Sequence, residues 1–280
     1  MIIGVDLGGT TVNSGRVVEG KIKDSFLMNI SADLSEQDVI NEVYAAIDKV
    51  NHDDVKGIGV GVPGLVDAEK GIVFSLANIP SWQKVHLKEK LEARYGIPAY
   101  VNNDANCFVT GVKYFGQGKN FKNLIGLTLG TGMGAGLVIN NRLYSGNNCG
   151  AGEYGMLPYK DHNYEYYCSG QYFKKLYGMS GKELHMQALD GDIEAINIFK
   201  EYGLELGQAI KVFLYTLDPE VVFLGGSVSK AFEFFEGTMM KEINTFEFRH
   251  VLQKFSVVPN QTSDIALLGA AALYKDSQRT

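Results

Sequence analysis

Two glycine-rich segments of the chain carry the residue types needed to hold a phosphate group. In the first, Asp6 precedes the turn residues Gly8-Gly9-Thr10, and in the second Gly130-Thr131-Gly132 forms the turn. Glycine accepts positive φ and lets backbone approach a ligand, so such turns can direct N–H groups at an anion. Either turn alone could be an ordinary tight hairpin. Two matched turns, one of them following an aspartate, favour a polyphosphate held from two sides.

A second group of candidate residues surrounds Asp104. This aspartate follows a predicted strand over residues 99–102 and opens a predicted helix that ends near Tyr114. Its carboxylate would therefore be held at the edge of a cleft. An aspartate in this position is often only the N-cap of its helix. The amides of Asn103 and Asn106 make a purely structural cap less favoured, because three polar side chains would converge there.

Other polar residues could line a ligand pocket, although each also has an ordinary structural explanation. Glu153 lies between glycines, where backbone can approach a ligand, and Glu165 lies among tyrosines. Either could be a surface acid. Asn78 could be a turn residue, and Trp82, the only tryptophan, is more typical of a core than of a ligand platform.

The elements that must position these residues follow from hydrophobic periodicity. Residues 2–22 and 124–143 each predict a strand, a glycine turn and a second strand, which indicates two copies of one unit facing across a cleft. We therefore predict an α/β fold of two similar domains, with mixed sheets flanked by helices. The predicted domains are residues 1–115 and 116–263, with the C-terminal helix 264–280 packing back on the first.

Three local predictions bear on the candidate residues. A helix is expected from about Val85 to Tyr95, and a polar loop is expected to run as far as about Glu165. Gly225-Gly226-Ser227 should turn a buried strand into another helix.

Composition limits the class of protein. The chain has 280 residues and a net charge of −6 without long like-charge runs, which argues against nucleic acid as a partner. No leader is expected before the first strand, and no apolar run reaches the roughly 18 residues that span a bilayer. Cys107, Cys149 and Cys168 are far apart, as free thiols in a reducing compartment would be. We therefore expect a cytoplasmic protein that has no membrane partner.

Several common chemistries lack their motifs. The sequence contains no Walker-type loop, no H-E-x-x-H and no G-x-S-x-G. Gly59–Gly64 matches G-x-G-x-x-G formally, but its glycines begin inside a strand and no helical pattern follows. A backbone bend that lines a cleft explains it better than a dinucleotide site.

Taken together, the motifs carry a resemblance to a known family. Asp6–Thr10 and Gly130–Gly132 resemble the two phosphate motifs of the sugar-kinase, actin and heat-shock ATPase superfamily, and Leu224–Ser227 resembles its adenosine motif. Within that superfamily the chain resembles the ROK family of sugar kinases, glucokinase among them, and sugar-responsive repressors. The other segments with the family's order and spacing are Val60-Gly61-Val62-Pro63-Gly64, Asn78-Ile79-Pro80-Ser81-Trp82, Asn103-Asp104-Ala105-Asn106, Ala151-Gly152-Glu153-Tyr154-Gly155 and Asp218–Gly226.

The resemblance implies a ribonuclease-H-like, actin-like ATPase fold and a role for each candidate residue. Asp104 would be the general base for the attacking sugar hydroxyl, and Asp6 would organise a magnesium ion, mostly through water. The residues implied to hold the sugar are Gly64, Asn78, Asn103, Asp104, Glu153 and Glu165. The residues implied to hold ATP are Asp6, Gly8, Gly9, Thr10, Thr11, Gly130, Thr131, Gly132, Gly225 and Gly226.

The sequence also departs from the family pattern. Thr11 stands where a lysine is usual, and Met156 stands where the family has a histidine. The loop over residues 160–167 is short and lacks the cysteines that bind structural zinc in many members. We therefore expect no structural zinc and expect tyrosine packing to hold this loop. Asp161, His162 and Cys168 remain as a replacement metal site, but their spacing fits no standard zinc pattern.

The function expected from this resemblance is ATP-dependent phosphorylation of a hexose or N-acetylhexosamine hydroxyl by a homodimer. Two alternatives stay open. Met156 leaves room for a catalytically weakened sugar- or nucleotide-binding protein. A sugar-responsive regulator would lack its DNA-binding domain here, because only Met1 precedes the first strand.

Overall fold

Strands and helices alternate along the chain in the manner of an α/β protein. The structure is a computed structural model that describes residues 1–76, 78–147 and 150–278. Its strands are β1 (Ile2–Leu7), β2 (Thr11–Val18), β3 (Lys21–Asn29), β4 (Ile58–Val62), β5 (Leu65–Asp67), β6 (Ile72–Phe74), β7 (Lys84–His86), β8 (Ala99–Asn103), β9 (Leu124–Leu129), β10 (Met133–Ile139), β11 (Arg142–Leu143), β12 (Pro158–Tyr159), β13 (His162–Asn163), β14 (Val221–Gly225) and β15 (Ser256–Pro259). Its α-helices are α1 (Glu36–Asp48), α2 (Leu87–Tyr95), α3 (Asp104–Tyr114), α4 (Tyr164–Cys168), α5 (Gly170–Tyr177), α6 (Gly181–Leu189), α7 (Ile193–Leu217), α8 (Phe232–Ile243), α9 (Arg249–Leu252) and α10 (Ile265–Ser277).

The first five-stranded sheet has the order β3-β2-β1-β4-β8. β1, β2 and β3 form antiparallel pairs, whereas β1, β4 and β8 run parallel to one another. Every residue of β4 is buried, as expected for a strand covered on both faces. Parallel strands end at the same edge of a sheet, so this topology brings Asp6 near the end of β1 towards Asn103 at the end of β8.

The second five-stranded sheet repeats this pattern, with the order β11-β10-β9-β14-β15. Here β9, β14 and β15 are the parallel strands. The strands β9 and β10 correspond to β1 and β2, so the internal repeat inferred from residues 2–22 and 124–143 is present in the structure. Both sheets are mixed and flanked by helices, as predicted.

The chain divides into two compact units. Unit 1 contains residues 1–120, 136–151 and 261–280, and unit 2 contains residues 121–135 and 152–260. The C-terminal helix α10 lies in unit 1. Residues 136–151 also lie in unit 1, which differs from the predicted ranges 1–115 and 116–263. The difference arises at β10, because the chain passes from unit 2 to unit 1 within that strand.

A small three-stranded sheet in unit 1 has the order β5-β6-β7. Its inner face is a row of registered valines, Val66, Val73 and Val85, all in the core. Residues 65–74 form the antiparallel hairpin of β5 and β6. The predicted start of α2 at Val85 is wrong, because residues 84–86 pair with β6 and the helix begins at Leu87. Sheet pairing overrode a short apolar pattern that suited either structure.

Two other local predictions need correction. The predicted polar loop before Glu165 contains the hairpin β12–β13, and Glu165 itself lies on α4. After Gly225-Gly226 the chain first forms a 3₁₀ turn over Val228–Ala231, and α8 begins only at Phe232.

Glycines allow α10 to lie directly on the sheet of unit 1. A Cβ added at Gly59 of β4 would fall 1.8 Å from the carbonyl oxygen of Ala270, and one at Gly4 would fall 2.2 Å from that of Leu267. Gly269 of α10 approaches the backbone of α3 in the same way, with 1.8 Å to the Cys107 carbonyl oxygen. Backbone therefore packs on backbone here, and α10 fixes the position of α3, the helix that carries Asp104.

The remaining sequence predictions on burial concern Trp82 and membrane helices. Trp82 is buried in the core of unit 1, so the core interpretation is confirmed. Within residues 1–76, 78–147 and 150–278, the helices are too short or too polar to cross a bilayer. Cys149 lies outside the described residues.

Candidate active site

The candidate residues of unit 1 meet where β1 and β8 end. Asp6 pairs with Gly61 of β4, and β4 in turn pairs Val62 with Asn103. Asp104 follows as the first residue of α3. Two carboxylates are thus brought to one edge of a parallel sheet, where ligands of open α/β sheets usually bind.

Asn103, and not Asp104, is the N-cap of α3. The Asn103 Oδ1 atom accepts a hydrogen bond from the Ala105 N–H at 2.8 Å, and its Nδ2 donates to the carbonyl oxygen of Gly64 at 3.0 Å. Asp104 Oδ1 also accepts from the Ala105 N–H at 2.8 Å, but its side chain is exposed. The capping requirement is therefore met without Asp104, which leaves its carboxylate for another role.

Asn106 does not join this group, contrary to the expected convergence of three polar side chains. It is buried, and its Nδ2 donates to Asn102 Oδ1 at 2.9 Å. The same Asn102 oxygen accepts from the Asn103 N–H at 2.8 Å. The buried pair Asn102 and Asn106 therefore stabilises the end of β8 by hydrogen bonding.

Both carboxyl groups of unit 1 are harder to ionise than ordinary aspartates. Burial raises the pKa of Asp6 to about 6, with a further contribution from the negative charge of Asp104. Burial also raises the pKa of Asp104, although its hydrogen bonds from backbone N–H groups lower it in part. Asp104 is exposed as a residue, so its raised pKa comes from the protein atoms packed around the carboxylate and not from full burial. Such a pair favours a cation between or beside its members.

The thiol of Cys107 lies close behind the two carboxylates but is not available for chemistry. It is buried, and burial raises its pKa well above the ordinary value, with Asp6 and Asp104 adding to the effect. A thiol that stays protonated is a poor nucleophile and a poor metal ligand.

The first glycine turn is closed on itself and touches Asn78. The Gly8 N–H donates to the Thr11 carbonyl oxygen at 2.8 Å, and the Thr10 carbonyl oxygen accepts from the Ile30 N–H at 2.9 Å. Thr10 is exposed, whereas Thr11 is the first residue of β2. A Cβ at Gly9 would lie 2.5 Å from Asn78 Nδ2, so only glycine lets this amide reach the turn.

The second glycine turn, in unit 2, is held by the start of α5. The Gly130 carbonyl oxygen accepts from the Gly170 N–H at 2.7 Å, and the Thr131 carbonyl oxygen accepts from Ser169 Oγ at 3.2 Å. The Gly130 N–H donates to the Gly132 carbonyl oxygen at 3.0 Å. The side chain of Thr131 is exposed, so the turn is rigid but open to a ligand.

Glu165 supports the same turn from behind. Its Oε2 accepts from the Met133 N–H at 3.1 Å, and its Oε1 accepts from Gln171 Nε2 at 3.0 Å. A Cβ at Gly132 would lie 2.6 Å from Glu165 Oε2. Glu165 is therefore packed against the turn, a contact that the sequence did not indicate.

The glycine pair after β14 backs onto this turn. Gly225 ends the strand, and Gly226 has φ +86° with its missing Cβ only 2.3 Å from the Leu129 carbonyl oxygen. A side chain at Gly226 would be strained in φ and would collide with β9. The glycine pair and the second turn consequently form one continuous surface.

A pocket of about 280 Å³ opens beside this surface, close to the smallest sizes known for ligand pockets. Lys174 and Lys182 lie on its wall, and sequence reasoning missed both because neither belongs to a recognised motif. Lys182 lies within the capping box of α6, between Ser180 and Glu183. The lining residues are Gly130, Thr131, Gly170, Gln171, Lys174, Ser180, Gly181, Lys182, Ser227 and Val228.

Glu153 and Met156 lie at one tight 3₁₀ turn of unit 2. The Glu153 carbonyl oxygen accepts from the Met156 N–H at 3.1 Å, and both side chains are exposed, Met156 by 53%. Gly152 and Gly155 press the turn onto β10: a Cβ at Gly152 would lie 2.1 Å from the Ala135 carbonyl oxygen. Glu153 is thus presented on backbone that its glycine neighbours hold against β10.

The segment that departs from the family pattern is packed by aromatic rings, as predicted. Tyr159 stacks on Tyr164 at 4.3 Å between centroids, and His162 stacks on Tyr166 at 4.0 Å. Tyr167 donates a hydrogen bond to Asp161 Oδ1 at 2.5 Å. In the described part of the chain, no three His, Cys, Asp or Glu side chains are grouped to hold a metal ion.

Comparison with known proteins places this geometry in a family context. Residues 2–277 match the ROK family. The glucokinase of Thermotoga maritima is 31% identical, with 98% of this chain and 97% of the relative covered. The xylose repressor of Bacillus subtilis is 26% identical over 98% of this chain and 77% of its own length.

A solved structure gives the same result at the level of the fold. A ROK family glucokinase from Streptomyces griseus, in complex with glucose and AMPPNP, superposes with a TM-score of 0.80. The two sequences are 28% identical, and the superposition covers 97% of this chain and 98% of the Streptomyces griseus chain.

Proposed function

This chain belongs to the ROK family and is a sugar kinase with the actin-like ATPase fold, and we propose that it phosphorylates a hexose or N-acetylhexosamine hydroxyl with ATP and Asp104 as general base. The observation that carries the assignment of the base is the N-cap of α3. Asn103 supplies the cap, so the helix does not need the Asp104 carboxylate for capping. That carboxylate is exposed at the end of a strand.

The carboxylates of unit 1 suit a divalent cation. Burial and the charge of Asp104 raise the pKa of Asp6, and a cation beside Asp6 would relieve that unfavourable environment. Magnesium prefers carboxylate and water oxygens, and it would neutralise charge on the phosphates of ATP. We propose that Asp6 holds this ion, mostly through water.

The proposed reaction is a direct displacement at phosphorus. Asp104 accepts the proton of the sugar hydroxyl while that oxygen bonds to the γ-phosphorus of ATP, and the bond to the β,γ-bridging oxygen breaks. The products are the sugar phosphate, ADP and the protonated carboxyl of Asp104. A raised pKa strengthens Asp104 as a base.

In unit 1, we propose that Gly64, Asn78 and Asn103 hold the sugar, and that Gly8, Gly9, Thr10 and Thr11 hold phosphate. The hydrogen bond from Asn103 to the Gly64 carbonyl oxygen supports the first group, because it fixes backbone next to the base. Thr11 has the weakest support, because it already belongs to β2.

In unit 2, we propose that the second turn and the glycine pair hold ATP. The supporting observations are the rigid turn at Gly130–Gly132, Gly226 with its positive φ, and the pocket beside them. Lys174 and Lys182 add positive charge to that pocket, which suits a polyanionic substrate. Glu153 and Glu165 are proposed sugar ligands, and Glu165 would also position the turn through Met133.

Positioning and charge neutralisation account for most of the acceleration in phosphoryl transfer. The many hydrogen bonds that hold both glycine turns are consistent with that demand. The base contributes a smaller share, about 10²–10⁴-fold.

Release of ADP measured over a panel of hexoses and N-acetylhexosamines tests the proposal. Turnover that requires sugar, ATP and magnesium together is expected, with one sugar clearly preferred. ATP hydrolysis that no sugar stimulates would contradict the proposed reaction. We further propose a homodimer, which light scattering of the purified protein tests directly.

One specific observation keeps a second function in view. The similarity to a xylose repressor extends over 98% of this chain, so a sugar-binding regulator could use the same fold. Sugar binding by calorimetry without any turnover on the panel would favour that function over the kinase.

A further inference from the structure

A cavity of about 400 Å³ in unit 1 is lined by three lysines and a tyrosine, Lys113, Tyr114, Lys119 and Lys275. Lys113 and Tyr114 lie at the end of α3, and Lys275 lies in the last turn of α10. Lys119 belongs to the 3₁₀ turn Gln117–Asn120. The proposed kinase reaction uses none of these side chains. Ammonium groups repel one another, so three of them around one cavity favour an anion between them.

Lys113 is buried, with only 3% of its surface exposed. Its Nζ donates to the Lys119 carbonyl oxygen at 3.1 Å and to Asn141 Oδ1 at 2.8 Å. These two acceptors are neutral, so they fix the position of the ammonium and do not cancel its charge. Burial of a charged side chain is costly, and an anion in the cavity would lower that cost.

Lys119 and Lys275 contribute the more accessible ammonium groups of the wall. Both residues are exposed. In the part of the chain that the structure describes, neither lysine forms an ion pair with a carboxylate. The Lys275 Nζ lies 4.8 Å from the centre of the Phe115 ring, a cation–π contact that restricts its position. Both ammonium groups can therefore donate hydrogen bonds to a ligand.

A carboxylate also lies next to this cavity. Asp276 Oδ1 accepts a hydrogen bond from the Tyr114 hydroxyl at 2.7 Å and another from the Leu143 N–H at 3.1 Å. Set against three ammonium groups, the single charge of Asp276 leaves the wall positive. The wall therefore favours an anion that carries two charges.

Helix ends explain part of this arrangement. The C-terminus of a helix carries partial negative charge, and a lysine in the last turn is stabilising there. Lys113 and Lys275 lie in the last turns of α3 and α10, so each has such a structural role. That role does not account for Lys119, which lies outside both helices. It also does not require the two helix ends to place their lysines on one cavity.

The charge and the volume of the cavity indicate a phosphate group as ligand. A phosphate monoester carries close to two negative charges at neutral pH, because its second pKa is about 6. Its oxygens accept charge-assisted hydrogen bonds from lysine. The volume falls in the range of small-molecule pockets, so there is room for an organic group as well as the phosphate.

The cavity is separate from the proposed base. Asp104 is the first residue of α3 and Tyr114 is its last. A helix rises about 1.5 Å per residue, so the two ends of α3 are about 15 Å apart. A ligand at Tyr114 would therefore not occupy the place of a sugar at Asp104.

We propose that this cavity binds the phosphate group of a small metabolite, at the end of α3 opposite to Asp104. The proposal is independent of the sugar-kinase function, because it requires binding and no turnover. Lys119 and Lys275 donate to the phosphate oxygens, and the buried Lys113 adds positive charge from behind.

Calorimetric titration at low salt with glucose 6-phosphate and with inorganic phosphate tests the proposal. The wild-type protein should bind at least one of the two. The double variant Lys119→Gln/Lys275→Gln should bind it about tenfold or more weakly, as expected when charge-assisted hydrogen bonds are lost. Lys23→Gln/Lys56→Gln is the matched control, because it removes the same charge from two other exposed lysines of unit 1. The control should keep wild-type affinity.

The two ligands identify the source of the phosphate. Tighter binding of glucose 6-phosphate supports a monoester site, and equal binding supports a site for free phosphate. No binding of either at millimolar concentration would overturn the proposal. Binding that the double variant retains would also overturn it, because the anion would then lie elsewhere, for example at a glycine turn.

The choice of variants protects the test against unfolding. Lys113 is left unchanged because it is buried, whereas Lys119 and Lys275 are exposed. Thermal unfolding of each variant shows whether it is folded. If the double variant is not, Lys119→Gln alone must weaken binding for the proposal to stand.

Discussion

The side-chain amide of Asn103 ties the end of β8 to Gly64: its Nδ2 donates to the Gly64 carbonyl oxygen at 3.0 Å while its Oδ1 caps α3. One residue thus joins the proposed sugar-binding backbone to the helix that begins with the proposed base. Gly64 has φ +94°, so this bend depends on glycine as well as on the hydrogen bond.

Asn103→Asp should separate these two duties. Aspartate is as good an N-cap as asparagine, so the helix should persist. The donor to Gly64 is lost, and a carboxylate then faces a carbonyl oxygen. We expect the KM for sugar to rise about 2–10-fold, the equivalent of one hydrogen bond. Unfolding temperature should change little; a large fall would mean that Asn103 acts mainly in stability.

Asp104→Asn should lower kcat about 10²–10⁴-fold, as expected when a general base is lost. Because Asn103 is the cap, the variant should fold normally and bind ATP and sugar with wild-type affinity. Steady-state kinetics with calorimetric binding checks this, and Asp33→Asn, at an exposed aspartate, is the control. Near wild-type kcat in Asp104→Asn would remove Asp104 from the mechanism.

The raised pKa of Asp6, about 6, makes two pH effects testable. Between about pH 4 and 6 the Asp6 carboxyl is protonated in the folded state and ionised in the unfolded state. The stabilisation that comes from binding this proton is therefore lost as pH rises through 6. Asp6→Asn should therefore stabilise the ligand-free protein at pH 7 by about 1–3 kcal/mol and flatten its stability profile over this range.

Metal binding should favour the ionised form of Asp6, which burial disfavours in the ligand-free protein. Because magnesium requires the ionised carboxylate, activity should fall as pH drops below about 6, and added magnesium should offset part of the loss. Asp6→Asn should remove the magnesium-dependent activity. Unfolding and turnover measured from pH 5 to 8 test both effects, and identical profiles for the variant and the wild type would contradict the assignment.

The aromatic packing around β12–β13 predicts independence from zinc. Metal analysis of protein purified without chelator should find well under one equivalent, and treatment with chelator followed by magnesium should leave activity intact. Tyr167→Phe should lower the unfolding temperature through loss of its hydrogen bond to Asp161. Exposed Tyr144→Phe is the control. One equivalent of zinc whose removal abolishes activity would overturn this prediction.

Gly59→Ala should be among the most damaging single substitutions in unit 1. The added methyl would meet the Ala270 carbonyl oxygen at 1.8 Å, so α10 must move away from β4, at a cost of about 3 kcal/mol or more. Gly237→Ala is the matched control, because nothing lies within 4 Å of a Cβ there and alanine favours the helix α8. Equal unfolding free energies for the two variants would refute the packing argument.

Local order along the chain was predictable because it depends on neighbouring residues. The alternation of apolar residues in β1 and β2, the Ser35 cap of α1 and the repeat of the glycine turns are all written in short spans of sequence. The same spans carry the motifs that indicated a phosphate-binding protein, because a turn that approaches a ligand needs glycine wherever it occurs.

Only the tertiary structure showed which side chain has which role and which distant residues are in contact. The sequence left open whether Asp104 is only the N-cap of α3, and the structure gives that cap to Asn103, whose Oδ1 accepts from the Ala105 N–H. Glu165 could not be connected with Met133, nor Lys119 with Lys275 around one cavity, because each contact joins distant segments. Such contacts depend on how sheets and helices pack, and residue spacing within one segment carries no information about that packing.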